Sequence, residues 1–205
     1  MLAPDDLARV TAETIRHYQE RADAFWAGTR DHDVRQNIDA LLRHIEGPPP
    51  FRILDFGCGP GRDLATFKTL GHLAIGLEGA PSFAAMARAH SGCEVWEQDF
   101  LSLDLPPAMF DGVFANASLF HVPTQELARV LGELRATLKA GGVLFCSNPR
   151  GENQEGWERG LTARSFIITD SLLGSKLPAG CRAHIFQLIS DESIEELQSK
   201  FSNPA

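Results

Sequence analysis

The first quarter of the chain has a helical rhythm. Leu7, Val10, Thr14, Ile15, Tyr18, Ala22, Phe25 and Trp26 recur three or four residues apart, which predicts one amphipathic helix over residues 5–27. Gly28 and Thr29 interrupt the stripe. Asp33 followed by Gln36 resembles a capping box, and Val34, Ile38, Leu41, Leu42 and Ile45 stripe a second helix. Gly47-Pro48-Pro49-Pro50 ends that helix, because proline supplies no amide donor and clashes in a helix interior.

After the prolines the rhythm changes. Residues 51–56 (FRILDF) read as a strand running into a glycine loop, 62–70 as a helix and 72–77 (HLAIGL) as a strand. A helix over 81–90, a strand over 93–98 and a strand over 110–116 (FDGVFAN) follow. Leu127, Val130, Leu131, Leu134 and Leu138 share one face of a helix over 123–138, with Gly141-Gly142 as its expected stop. Val143 to Ser147 is a fifth strand. Alternating strands and helices predict a mostly parallel sheet with helices on both faces, a Rossmann-like three-layer α/β/α sandwich. Ligands of such sheets bind beyond the carboxyl ends of the strands.

Composition narrows the partners. A chain of 205 residues fits one domain with a real core, and 43% hydrophobic with 22% charged residues is an ordinary globular mixture. The expected organisation is a helical cap (1–46), a nucleoside-binding core (51–150), and a substrate loop with a tail (151–205). No apolar run approaches the roughly 20 residues of a membrane helix, and the N-terminus lacks a signal-peptide pattern, so a cytoplasmic location is expected. The formal net charge of −8, with no basic stripe, disfavours a nucleic-acid substrate. Cys58, Cys93, Cys146 and Cys181 form no C-x-x-C pair, so no metal site is expected and buried free thiols are.

The chemistry gathers at the strand ends. The first strand runs into Asp55-Phe56-Gly57-Cys58-Gly59-Pro60-Gly61, a D-x-G-x-G-x-G pattern. Glycines Gly57, Gly59 and Gly61 let the backbone turn sharply and approach a ligand closely. A dinucleotide fingerprint needs glycine at position 62, where Arg62 stands. The carboxylate of Asp55 suits a cationic ligand group, such as the amino group or sulfonium side of S-adenosylmethionine, better than a pyrophosphate. Glu78 closes the second strand 21 residues after Gly57, where an acid can accept from both ribose hydroxyls and would repel a 2′-phosphate. Asp99-Phe100 closes the third strand; the acid can accept from an adenine amine while the ring packs on the base, or it caps a turn beside a core phenylalanine. Tyr18, the only tyrosine, is either core or leans toward the cofactor.

This ordered set resembles the class I S-adenosylmethionine-dependent methyltransferases, which implies S-adenosylmethionine as methyl donor. At the fourth strand end, Asn116 and Ser118 are expected at the donor's methionine end. His121 is placed to act as general base, to hold an acceptor, or to pack the next helix start. The loop Gly28–Asp33 is either a solvated turn or, through Arg30 and His32, a recognition element for a zwitterion. The segment 148–157 is too polar for core and reads as a surface loop or a substrate contact.

The segments HYQERADAFWAGTRDHDVRQNI, ILDFGCGPGRDL, CEVWEQDF, FANASLFHVP and SNPRGENQEGW together are similar to the C-terminal methyltransferase domain of ovothiol synthase, over about residues 8–160. That resemblance implies N-methylation of the imidazole of 5-thiohistidine, with Arg30, His32, Asn116, His121 and Arg150 holding the acceptor. The iron-dependent sulfoxide synthase region of that family is absent from this chain, and from about Leu161 the chain leaves the family pattern. There, residues 165–169 and 183–189 read as strands, and Ile194, Leu197 and Phe201 mark a short helix. Two other readings stay open: a methyltransferase for another small acceptor, and a non-catalytic donor-binding protein.

Overall fold

The computed structural model describes residues 2–147, 155–158, 161–164 and 182–185. Three helices come first: α1 (Pro4–Glu20), α2 (Ala22–Thr29) and α3 (Arg35–Leu42). The predicted helix over 5–27 is broken at Arg21, whose ψ of 18° leaves the helical region, so α2 sets off in a new direction. The expected capping box does not form: Val34 is the N-cap of α3 with no side-chain cap bond, and the Asp33 carboxylate instead accepts from the Arg35 amide two residues on (2.9 Å).

Strands β1 (Arg52–Phe56), β2 (Leu73–Glu78), β3 (Glu94–Glu97), β4 (Phe110–Asn116) and β5 (Leu138–Ser147) alternate with α4 (Arg62–Thr69), α5 (Pro81–Ser91) and α6 (Thr124–Thr137). The antiparallel pair β6 (Glu155–Glu158) and β7 (Leu161–Arg164) follows, then β8 (Arg182–Ile185). The main sheet has the order β3-β2-β1-β4-β5-β8, with every neighbouring pair parallel. The segment 183–189 thus contributes a strand at its start, and the expected strand at 165–169 and the final helix lie outside the described residues.

Alternation along the strands explains the layers. Ile53, Phe114, Val143 and Phe145 face Ile38 and Leu41 of α3 and Phe67 of α4. Their neighbours Leu54, Phe56, Val113, Ala115, Leu144 and Cys146 face Leu127, Val130, Leu131 and Leu134 of α6 on the other side. Each such side chain contributes roughly 1.5–3 kcal/mol when fully buried. Cys58 and Cys146 are buried thiols, while Cys93 is half-buried.

One expected boundary is wrong. Helix α6 stops at Thr137, and Gly141-Gly142 lies inside β5 rather than ending the helix. Phe110 pairs with Leu138 but Gly112 with Val143, so Lys139 to Gly142 bulge opposite Asp111. Gly141 takes the positive φ (78°) this bulge requires.

At the far end of α1, the Leu2 amide donates to Gln125 Oε1 (2.6 Å), and Gln125 Nε2 donates back to the Leu2 carbonyl (3.2 Å). This clasp fastens the start of α1 to α6. Among the described residues, no helix is long and apolar enough to cross a membrane.

Candidate functional site

The turn after β1 is held to the next strand: the amides of Gly57 and Cys58 both donate to the Leu77 carbonyl, at 2.9 and 3.1 Å. Above this turn, at the carboxyl ends of β1, β2 and β4, lies a cavity of about 720 Å³ counting its open mouth. Gly57, Gly59 and Glu78 form part of its floor, with Asp99 and Phe100 on one side and Ala117, Ser118 and His121 on another. Thr11, Thr14, Ile15 and Tyr18 of α1 roof it, joined by Phe25 of α2 and Phe83 of α5.

The glycines divide the work. A Cβ at Gly57 would stand 2.5 Å from Ser118 Cβ and 3.2 Å from Phe100 Cζ, so the narrow floor requires glycine there, as does its φ of 76°. Gly61 does not line the cavity. A Cβ there would lie 2.7 Å from the Ala87 Cα, so this glycine serves the close approach of α4 to α5 and not, as expected, a ligand.

Glu78 lies in the cavity with its carboxylate already engaged. Oε2 accepts from the Gly59 amide (3.0 Å) and Oε1 from the Ala80 amide (2.8 Å). Burial pushes its pKa up to about 6, against the pull of those amides. Asp99 caps the following turn through the Leu101 amide (2.8 Å) and also lines the cavity. Phe100 stacks on Phe56 with ring centroids 4.1 Å apart. Ser118 Oγ is buried and meets no hydrogen-bond partner among the described residues.

Two expected residues stand behind the cavity instead of in it. Asp55 is 2% exposed, and its Oδ2 has no hydrogen-bond partner among the described residues. Burial, then the charge of Asp63, holds its carboxyl well above the usual range; Arg62 lowers it and Glu78 raises it. The Asn116 amide is consumed by the fold. Its Oδ1 accepts from Asn37 Nδ2 (3.0 Å) and Ser147 Oγ (2.6 Å), and its Nδ2 donates to Asp63 Oδ2 (3.3 Å). Asp63 in turn holds Arg62 (2.7 Å), whose Nη1 reaches the Thr29 carbonyl (2.9 Å). Asn116 is therefore a brace between α3 and the glycine turn, not a group presented to a substrate.

Arg30 and His32 are exposed and do not line the cavity; Arg30 faces its neighbour Asp31 at 3.3 Å. The structure thus favours the solvated-turn alternative for this loop. Arg150 lies outside the described residues. The strands β6 and β7 take up part of the expected substrate loop, and the backbone of β7 runs close to α1 and to the 3₁₀ turn Leu119–His121.

Tyr18 and His121 meet across the cavity, Oη to Nε2 at 2.9 Å, with their rings edge to face. Phe25 and Phe83 pack against the same tyrosine at centroid distances of 5.6 and 5.5 Å. Thr11, Thr14, Phe25 and Phe83 were not singled out from sequence as site residues. The available signal was two threonines at helical spacing on an otherwise apolar stripe.

The cavity fits S-adenosylmethionine: a floor that a Cβ would fill, followed by an acid at each of the next two strand ends, is what a nucleoside bearing no phosphate calls for. Residues 53–142 match the family described as "Methyltransferase domain". The chain is 33% identical over 123 residues to 24-methylenesterol C-methyltransferase 2 of Oryza sativa subsp. japonica, covering 56% of this chain and 32% of that protein. It is similar to Burkholderia thailandensis 1,6-didemethyltoxoflavin-N1-methyltransferase, solved with 1,6-didemethyltoxoflavin and S-adenosylhomocysteine (25% identity, TM-score 0.53, 68% of this chain and 61% of that one). It also shares its fold with Haemonchus contortus phosphoethanolamine N-methyltransferase 1 (16% identity, TM-score 0.60, 82% and 37%). The chain spans about a third of the length of the sterol methyltransferases it matches. The chain has the fold of the class I S-adenosylmethionine-dependent methyltransferases, for which S-adenosylmethionine is the expected cofactor.

Proposed function

We propose that the chain transfers a methyl group from S-adenosylmethionine to a ring nitrogen of a small polar molecule, and that the acceptor is the imidazole of 5-thiohistidine. The observation that carries the methyl-transfer reading is the roofed cavity over the glycine turn, with Glu78, Asp99 and the Tyr18–His121 pair facing one space. The acceptor rests on the resemblance of the 17–38, 114–123 and 147–157 segments to the ovothiol synthase methyltransferase domain. Likeness to an enzyme named for N1-methylation of 1,6-didemethyltoxoflavin supports nitrogen as the target atom.

S-adenosylmethionine supplies an activated methyl group whose C–S bond breaks with its electron pair left on sulfur. The protein's task is placement. The backbone at Gly57 and Gly59 lies against the donor, Glu78 accepts from the ribose hydroxyls, and Asp99 accepts from the adenine amine while Phe100 packs on the base. Ser118 offers its unpartnered hydroxyl near Gly57. Asp55, buried behind the turn with its carboxyl held toward the protonated form, does not line the donor's cavity. The aromatic wall of Tyr18, Phe25 and Phe83 excludes water from the transfer line, and fixing reactants in this way contributes roughly 7–11 kcal/mol. His121 receives the proton that the methylated ring must lose.

The test is mass spectrometry of 5-thiohistidine incubated with the purified chain and methyl-labelled S-adenosylmethionine. Label on the imidazole is expected. An unlabelled ring, with donor binding intact by calorimetry, refutes the acceptor.

A further inference from the structure

We infer that Tyr18 is a proton relay: the acceptor's proton passes to its phenol oxygen while the phenol's own proton passes to His121 Nε2. This rests on the methyl-transfer reading above and adds a role for Tyr18 distinct from holding the donor.

The argument starts from connectivity. Tyr18 sits on α1 and His121 on the 3₁₀ turn after β4, 103 positions apart, yet Oη and Nε2 lie 2.9 Å apart. Both side chains line the cavity. The phenol is held by rings on three further sides: Phe25 at 5.6 Å and 87°, Phe83 at 5.5 Å, and His17 at 6.0 Å. Its hydroxyl therefore has a fixed direction, toward the imidazole.

A single hydrogen bond between these atoms runs one of two ways. Burial, reinforced by the charge of Glu78, raises the phenol's pKa far above neutrality, so Tyr18 keeps its proton and has one to donate. In the relay Nε2 accepts, which is the tautomer with the imidazole proton on Nδ1. In this arrangement the Nε2 lone pair is occupied by the phenol. A proton leaving an acceptor in the cavity reaches that lone pair by the shortest route through the tyrosine oxygen.

The balance closes. The acceptor nitrogen's lone pair forms the new N–C bond, the donor's C–S electrons stay on sulfur, and the acceptor is left with one proton in excess. That proton bonds to Tyr18 Oη as the original phenol proton bonds to Nε2, so Tyr18 ends neutral and His121 ends as imidazolium. Release of that proton to water restores the pair. No phenolate forms, so the raised phenol pKa does not oppose the step.

The direct test is histidine-selective 15N NMR of the S-adenosylhomocysteine complex, with His121 assigned by its disappearance in H121Q. The expected result is Nε2 unprotonated and hydrogen-bonded at neutral pH, with its resonance shifting on Tyr18→Phe while S-adenosylhomocysteine affinity stays within about threefold. In turnover, Y18F and H121Q should each slow methyl transfer by about 100-fold, and the double variant should be no slower than the worse single one. A protonated Nε2 in the wild-type complex overturns the relay whatever the turnover of the variants. So do losses that multiply in the double variant. If the 15N result holds and 5-thiohistidine is not methylated, the relay stands and the acceptor assignment fails.

Discussion

Glu78 shows at the scale of one residue how a site is poised by burial. Its carboxylate holds two backbone amides of the donor-free protein, and desolvation lifts its pKa to about 6. In the proposed binding mode the ionised carboxylate accepts hydrogen bonds from ribose, a capacity it mostly loses when protonated. Donor affinity should therefore be full above pH 6 and fall as pH drops below it. Calorimetry with S-adenosylhomocysteine at pH 8 and pH 5 reads this directly, and Glu78→Gln should cost about 10–100-fold at pH 8, the worth of a charged hydrogen bond. An affinity flat across that range would remove Glu78 from the ribose. Two glycines offer a sharper contrast. Gly57→Ala drives a Cβ into Ser118 and should abolish donor binding, while Gly61→Ala presses on the Ala87 backbone and acts on stability. Strain of roughly 1–3 kcal/mol, with the clash added, should lower the Gly61→Ala midpoint by about 5 °C or more in a thermal melt.

Between elements, the polar chain Asn37–Asn116–Asp63–Arg62–Thr29 binds α3, β4, α4 and the end of α2 into one frame. Asp63 is its centre, and its removal leaves the guanidinium of Arg62 and the Asn116 amide without their acceptor. Asp63→Ala should destabilise by about 3 kcal/mol, seen as a lower urea midpoint with unchanged slope. Sequence pattern alone anticipated most elements, because strand alternation and the α6 stripe are written in side chains that the core sorts by face. It missed what depends on partners. The break at Arg21 leaves the apolar stripe unchanged, and the bulge of β5 at Gly141-Gly142 is indistinguishable in sequence from a helix stop. The same limit applied to the site. Gly57, Gly59, Glu78, Asp99, Phe100, Ser118, Tyr18 and His121 face the cavity, whereas Asn116 sits at the expected strand end with its amide turned into the frame. Arg30 and His32 had the right chemistry, but the turn that Asp33 closes onto the Arg35 amide lies in solvent.

For the molecule as a whole, the buried acids make the empty protein a compromise. Asp55 and Glu78 hold protons in the folded state that the unfolded chain has already released. Wherever the native state binds more protons, stability falls as pH rises. For Glu78 the fall spans about pH 4.5 to 6 and then flattens; the raised carboxyl of Asp55 adds to the fall with the same sign. The donor-free protein should thus melt at a lower temperature at pH 8 than at pH 5.5. Asp55→Asn should reduce that difference and raise the pH 8 midpoint by on the order of 3 °C. A variant less stable than wild type at pH 8 would show that the carboxylate is compensated.

The packing of Gly61 against Ala87 also bears on descent. Gly57 answers to Ser118 and Phe100 across the cavity floor, whereas Gly61 answers to the spacing of two helices away from it. A lineage that abandoned methyl transfer could relax position 57 only by changing positions 100 and 118 as well, whereas position 61 would stay glycine for as long as α4 and α5 kept their spacing. A motif that looks like one unit is thus two records, one of chemistry and one of architecture, and a descendant keeping only the second would be a methyltransferase in shape alone.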